Sequence, residues 1–215
     1  MSPLKFTARS IERSYNALSE YLRYFCSMSS HHIVREKQEP ALLIMDLEGF
    51  LTENLGQLLE WSPSVLVAEK MYEHTESLGI KIDGVLTPNP NFPTQENTRI
   101  IASDTDQLED ALKFLVGEKY PAVNVITNEF ALKDYALYET DINLVIFISN
   151  HKIFPVHSGF SKWQSAGEKI VLLHEVHNLQ TSGLKHLSDT VLETEKDGFY
   201  TLQFDQPFLF ISETI

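Results

Sequence analysis

The chain contains one cysteine, Cys26. That excludes an intrachain disulfide framework and a cysteine-rich metal site, and it fits a reducing compartment. Arginine is almost as scarce once the first segment is passed: beyond Lys37 only Arg99 remains. Clamping a triphosphate calls on several fixed cations, so the shortage weighs against strong nucleotide binding unless Mg²⁺ offsets it. Lys and Arg total 17 against 30 Asp and Glu, a net charge of −13. This argues against a nucleic-acid partner, which needs clustered cations. No apolar run approaches the roughly 18 residues of a membrane-crossing helix; Leu144–Ile148 is strand-length. Neither phosphate-cradling glycine motif is present, nor the strained serine elbow of the hydrolases. The remaining composition, 43% hydrophobic and 22% charged, is that of an ordinary globular chain. We therefore expect a soluble cytoplasmic protein without a membrane partner.

What charge there is lies unevenly. Residues 1–37 hold six Lys/Arg against three Asp/Glu, leaving eleven against twenty-seven for the rest. Ile11, Tyr15, Leu18, Leu22 and Phe25 recur at helical spacing and predict one apolar stripe in an N-terminal helical extension over 1–37. Glu12 and Glu20 count against a transit peptide, and Met28 is a plausible alternative start.

From Pro40 the pattern alternates strand and helix. Ala41–Met45, Ser64–Ala68, Ile80–Leu86, Arg99–Ala102 and Ala122–Thr127 read as strands. Leu51–Leu59, Lys70–Leu78 and a segment from Ser103 or Asp104 to Leu115 read as helices, with Gly79 as a stop. Thr87–Thr94, rich in Pro and Asn, reads as a loop. Such alternation predicts a largely parallel sheet covered on both faces, an α/β domain over 38–141. Near Asp141 the pattern changes. Residues 143–149, 152–157, 168–176, 183–187, 191–195 and 199–204 read as strands, with Asp197-Gly198 as a hairpin turn. They predict a β-sandwich domain over 142–215, either separate or packed on the first as a layer.

Few constellations carry chemistry. His174-Glu175-Val176-His177 looks like a metal pair, but on a strand residues three apart face opposite sides, so it reads as structural. His31-His32, His151 and His157 read the same way, and Cys26 has no argued base. Asp104-Thr105-Asp106 follows a strand and opens a helix, where ligands of α/β sheets bind. Its carboxylates suit Mg²⁺, although an aspartate at a helix start also caps backbone N–H groups.

Several segments taken in order resemble thiamine pyrophosphokinases. Gly79-Ile80-Lys81-Ile82-Asp83 is similar to that family's "GIKPD" strand. Asp104-Thr105-Asp106 to Ala111-Leu112 is similar to its "TD-x-x-x-AL" helix start. Gly167–Leu173 resembles its "G-x-x-(I/V)-S-L-L" strand, and Gln180–Lys185 its "GLK" strand. The resemblance spans roughly residues 41–212. It implies an α/β nucleotide-binding domain joined to a β-sandwich, a homodimer, and pyrophosphate transfer from ATP to thiamine with Mg²⁺. It further implies Asp104 and Asp106 as catalytic residues, Asp83, Asp104 and Asp106 as magnesium ligands, and Gly183, Leu184 and Lys185 as substrate-binding residues.

The departures fall where that chemistry would sit. In place of the family's "GDFDS" loop the chain reads Thr87-Pro88-Asn89-Pro90-Asn91, with prolines where two carboxylates would stand. Proline neither ligates Mg²⁺ through its side chain nor donates a backbone hydrogen bond. Ala68-Glu69-Lys70 replaces "ADG", and the "R-x-DH" stretch is only echoed by Leu132-Lys133-Asp134-Tyr135. The late "SN" element has no counterpart. The sequence thus points to a thiamine-pyrophosphokinase-like chain in which catalysis has degenerated, leaving a ligand-binding or regulatory module. The alternatives are an enzyme that is still active and a structural partner protein.

Overall fold

The computed structural model describes Lys37 and residues 39–215. The helix expected over the first segment and the His31-His32 pair lie outside these residues. Six strands form the parallel part of the main sheet: β1 (Ala41–Ile44), β2 (Val65–Ala68), β3 (Gly84–Thr87), β4 (Arg99–Ala102), β5 (Ala122–Ile126) and β6 (Asn143–Ile148). Four helices connect them: α1 (Thr52–Leu59), α2 (Tyr72–Ser77), α3 (Gln107–Gly117) and α4 (Leu132–Tyr135). Strands β7 (His151–Val156), β8 (Phe160–Gln164), β9 (Lys169–Leu172), β10 (Gln180–Ser182), β11 (Leu184–His186), β12 (Val191–Thr194), β13 (Gly198–Gln203) and β14 (Leu209–Thr214) follow.

The sequence of β1, β2 and β3 explains their place. Each is apolar or small throughout and buried at every position, as strands covered on both faces must be. On one face Leu42, Ile44, Val67 and Val85 pack with Leu55 of α1 and Tyr72 of α2. On the other, Leu43, Leu66 and Leu86 pack with Ala111, Leu112 and Leu115 of α3 and Tyr135 of α4. The helices of the first two crossovers thus cover one face, and those of the last two cover the other. Leu112 and Leu115 are fully buried, so truncating either to Ala would cost about 2–5 kcal/mol.

The main sheet has eleven strands in the order β11-β12-β9-β14-β7-β6-β5-β1-β2-β3-β4. Parallel pairing ends at β6, which is parallel to β5 and antiparallel to β7. A second sheet, β10-β13-β8, lies across the antiparallel half. Tyr200 and Leu202 of the small sheet share a core with Ile170, Leu172, Leu192 and Ile211 of the large one. The architecture is therefore α/β with a sandwich-like second half, as the sequence pattern indicates, and one sheet runs through both.

Some boundaries differ from the sequence reading for identifiable reasons. Residues 80–83 are not strand. The N–H of Ile82 donates to Gln95 Oε1 (3.0 Å) and its carbonyl accepts from Thr98 Oγ1 (2.7 Å), so side chains replace a ladder partner. β9 stops at Leu172 because His174 Nε2 accepts the N–H of Phe210 (3.0 Å), doing the work of a strand carbonyl. His174 to His177 therefore lie off the strand, and His174 is engaged with backbone. β8, β10, β14 and the single turn of α4 were not visible as separate elements in the sequence pattern.

Gly183 makes the corner where the chain passes from β10 in the small sheet to β11 in the large one. Its φ is +72°, and a Cβ there would lie 2.8 Å from the carbonyl oxygen of Phe199. Gly159 also has positive φ (+88°) but open space around it. Gly183→Ala is expected to lower the unfolding free energy by about 1–3 kcal/mol, and by more than Gly159→Ala, which carries strain alone. Urea denaturation of both variants measures the difference; equal losses would show that the close approach to Phe199 contributes nothing.

Candidate functional site

All six parallel strands end at one edge of the sheet, and open α/β sheets take ligands in the crevice beyond these carboxyl ends. The winding reverses between β1 and β5, whose ends are held together by Met45 N–H and Asp46 N–H, both donating to Ile126 O at 2.9 and 3.2 Å. Around this point the loops present Asp46 and Glu48 after β1, Glu69 and Lys70 after β2, Thr87–Asn91 after β3, Ser103–Asp106 after β4, and Thr127–Glu129 after β5.

Most of these groups are engaged with one another. Lys70 Nζ lies 2.6 Å from Asp46 Oδ2, and Asp46 Oδ1 accepts the N–H of Glu48 at 2.9 Å. The Lys70 hydrogen bond, helped by that N–H, holds the Asp46 carboxyl below the usual carboxylate range, against a small opposing effect of burial. Glu69 Oε2 accepts from Thr87 Oγ1 at 2.6 Å. Thr87 Oγ1 in turn accepts the N–H of Asn89 (3.1 Å), and Asn89 Oδ1 accepts that of Asn91 (3.0 Å). The loop after β3 is thus folded on its own polar atoms, between two proline rings and without a carboxylate.

The sequence-predicted residues fall into three places. Asp104 and Asp106 stand at the carboxyl edge, both exposed. Asp106 caps α3, its Oδ1 accepting the N–H of Glu109 at 2.9 Å. Asp83 does not join them. It precedes β3 at the opposite edge, where Oδ2 accepts the N–H of Val65 (2.9 Å) and Lys81 pairs with Oδ1 (2.5 Å). With β3 and β4 in level register, Asp83 is separated from the end of β4 by about 13 Å of strand. No shared ion can bridge that span, so Asp83 does not converge with Asp104 and Asp106. Among the described residues no group of three or more His, Cys, Asp or Glu could hold a metal. Asp106 Oδ1 is engaged by its helix, Asp46 by Lys70 and Glu69 Oε2 by Thr87, which leaves exposed Asp104 and the second Asp106 oxygen as the donors a Mg²⁺ would have to use.

Gly183, Leu184 and Lys185 lie on or beside β11, one edge of the main sheet, whereas Asp104 and Asp106 follow β4, the other. Leu184 is buried in the sandwich core and Lys185 pairs with Glu193 at 2.6 Å. Arg99 also sits away from the carboxyl edge. It lies at the start of β4 and binds Glu118 at 3.0 Å, which Lys37 pairs from the other side at 2.9 Å.

Sequence reasoning missed two hydroxyls. Ser103 Oγ and Tyr135 Oη are buried, at the end of β4 and on α4, and neither has a hydrogen-bond partner among the described residues. Burial pushes the Tyr135 phenol far above its usual range, and the charges of Asp134, Glu129 and Asp106 add to the effect. Buried polar groups are nearly always satisfied in folded proteins, so such orphans mark places that a ligand or water completes. Asp46 and Glu69 were also overlooked, although their position directly after predicted strands was the available signal.

No family model matches the sequence, and no curated protein sequence matches it either. Solved structures do match in fold. Thiamine pyrophosphokinase from Bacillus subtilis superposes with a TM-score of 0.58 at 12% identity, covering 82% of this chain and 99% of that one. The yeast enzyme gives 0.59 at 10% identity, covering 85% and 88%. The enzyme from Candida albicans gives 0.58 at 10% identity, covering 82% and 89%. This chain has the thiamine pyrophosphokinase fold.

Two stability measurements test the site's geometry. Asp106→Ala is expected to cost about 1 kcal/mol through the lost cap, and Asp106→Asn much less, because Asn caps equally well. The Lys70–Asp46 contact lowers the folded-state pKa of Asp46. Its stabilisation is therefore complete above the unfolded carboxyl pKa of about 4 and is lost as pH falls through the lower folded value. Asp46→Asn should flatten the acid limb of a melting-temperature-against-pH curve; an unchanged limb would remove the pair from the account.

Proposed function

We propose that this chain is a thiamine-pyrophosphokinase-like ligand-binding or regulatory module whose transferase chemistry has degenerated. The observation that carries this reading is the contrast at the carboxyl edge. Ser103 Oγ, buried at the end of β4, lacks a partner among the described residues, as suits a polar ligand. The loop that would carry paired acids carries Pro88 and Pro90 instead. Phosphoryl-type transfer rests on positioning and charge neutralisation, so lost carboxylates and absent cations cost many powers of ten in rate while leaving ligand recognition possible. ATP and thiamine are the ligands to try first, since solved structures with this fold include proteins named thiamine pyrophosphokinases.

A second reading is an active pyrophosphokinase. The exposure of both Asp104 and Asp106 at the end of β4 favours it; in that case they hold Mg²⁺ through a largely retained water shell. A site drawing on both β4 and β11 could not close within one chain. Ten inter-strand spacings of about 4.8 Å separate these strands. Such a site would need two copies, which supports a homodimer. A structural partner protein is the third reading.

Incubation with Mg·ATP and thiamine at high protein concentration is expected to release no thiamine-dependent AMP. Mg·ATP or thiamine should nevertheless raise the melting temperature, and Ser103→Ala should reduce that rise without lowering the ligand-free value. AMP release that depends on thiamine and disappears in Asp106→Asn would overturn the proposal in favour of the enzyme. No shift with either ligand would favour the structural reading. Light scattering coupled to size exclusion reads the oligomeric state.

A further inference from the structure

One face of the main sheet changes its cover part way across. Over the parallel strands α1 and α2 lie on it; over β9, β12 and β14 the small sheet does. Between the two covers is a seam bordered by β8, an edge strand of the small sheet. It holds a cavity of about 350 Å³ lined by Val145, Lys152, Phe154, Phe160, Ser161 and Lys162. The register explains the membership: Lys152 pairs with Phe147 and with Glu213, so alternation puts Phe154 on the same side.

The charges in this seam do not balance. Glu213, 1% exposed, accepts from Tyr200 Oη at 2.8 Å through one oxygen and from Lys162 Nζ through the other. Burial and the neighbouring carboxylate push the Tyr200 phenol well above its usual range, so it stays neutral. Lys152 Nζ is 3.6 Å from Glu213 Oε2, beyond hydrogen-bond length, and has no acceptor among the described residues. Two cations thus share one anion, and the ammonium left over is only 30% exposed. It stands beside two aromatic rings, Phe154 and Phe160, 6.1 Å apart. A seam between structural layers, mostly apolar with a few placed polar groups, is where small molecules bind.

We propose that this seam binds a small aromatic carboxylate. Its ring lies against Phe154 and Phe160, and its carboxylate accepts from Lys152. The negative charge completes the set that Glu213 leaves open. The site lies outside the loops at the carboxyl edge and stands or falls separately from the function proposed above.

Titration calorimetry of the full chain with 2-naphthoate tests it. Saturable binding at one site per chain is expected. Lys152→Met keeps the aliphatic stem and removes the charge, and should weaken binding by about tenfold or more. Lys152→Arg should restore it, and the neutral 2-naphthamide should bind at least about tenfold more weakly than the acid. The melting temperature of Lys152→Met reports whether the fold survives; Lys162 is left intact so that Glu213 keeps its partner. Absence of saturable heat with the unaltered chain, or equal affinity in Lys152→Met, overturns the site. Octanoate binding as tightly as 2-naphthoate overturns the aromatic assignment.

Discussion

Everything in this molecule is referred to β6, which is hydrogen-bonded to a parallel neighbour on one side and an antiparallel neighbour on the other. Because neither ladder is broken, the two halves share a sheet and no linker lies between them on which a hinge could form. The turn from β6 to β7 has only Ser149 and Asn150 between paired residues, and Ser149 takes φ +53°. Its hydroxyl fills space that exists only because Gly49 has no side chain; a Cβ on Gly49 would come within 2.9 Å of it. A glycine in the loop after β1 therefore makes room for the turn that joins the halves.

The same rigidity fixes how charge is distributed. At the carboxyl edge three acids are answered locally: Asp46 by Lys70, Glu69 by Thr87, Asp106 by the first turn of α3. Carboxylates arranged to share an ion would repel one another until the ion arrived; these are spaced and paired so that they do not. The one arginine beyond Lys37 is engaged at the far edge, where it and Lys37 flank Glu118 and hold that carboxyl below the usual range. Such an edge is stabilised by its own pairs. Among the described residues, a half-buried ammonium without a hydrogen-bond acceptor lies elsewhere, in the seam beside Glu213.

Much of the parallel half was legible because the signal is local. The wholly apolar runs of β1 and β2 and the capped, striped α3 each declare their type within a few residues. The α/β-then-β order follows from the change of period near Asp141. What escaped has non-local causes. β14 is buried on both faces by partners far away in sequence, so its mixed run from Leu209 to Thr214 carries no alternation to read. β8 and β10 are short strands of a small sheet, half polar by position. Asp83 looked like a ligand because its neighbours resemble a family motif. Only the register of β3 with β4 reveals that it faces the wrong end of the sheet. Ser103 and Tyr135 are ordinary letters in the chain; their isolation exists only once the fold has enclosed them.

The placement of β14 has a consequence for biosynthesis. This strand inserts between β7 and β9, both of which precede it in the chain. Until residues 209–214 have been translated, β7 and β9 each present an unpaired rim and Tyr200 lacks its carboxylate. The parallel strands find their ladder partners earlier and lack only Phe210 from the core under α3 and α4, so their sheet can pair while the ribosome is still working. The antiparallel half must wait, and a nascent chain stalled before Leu209 would expose sticky borders of the kind chaperones recognise.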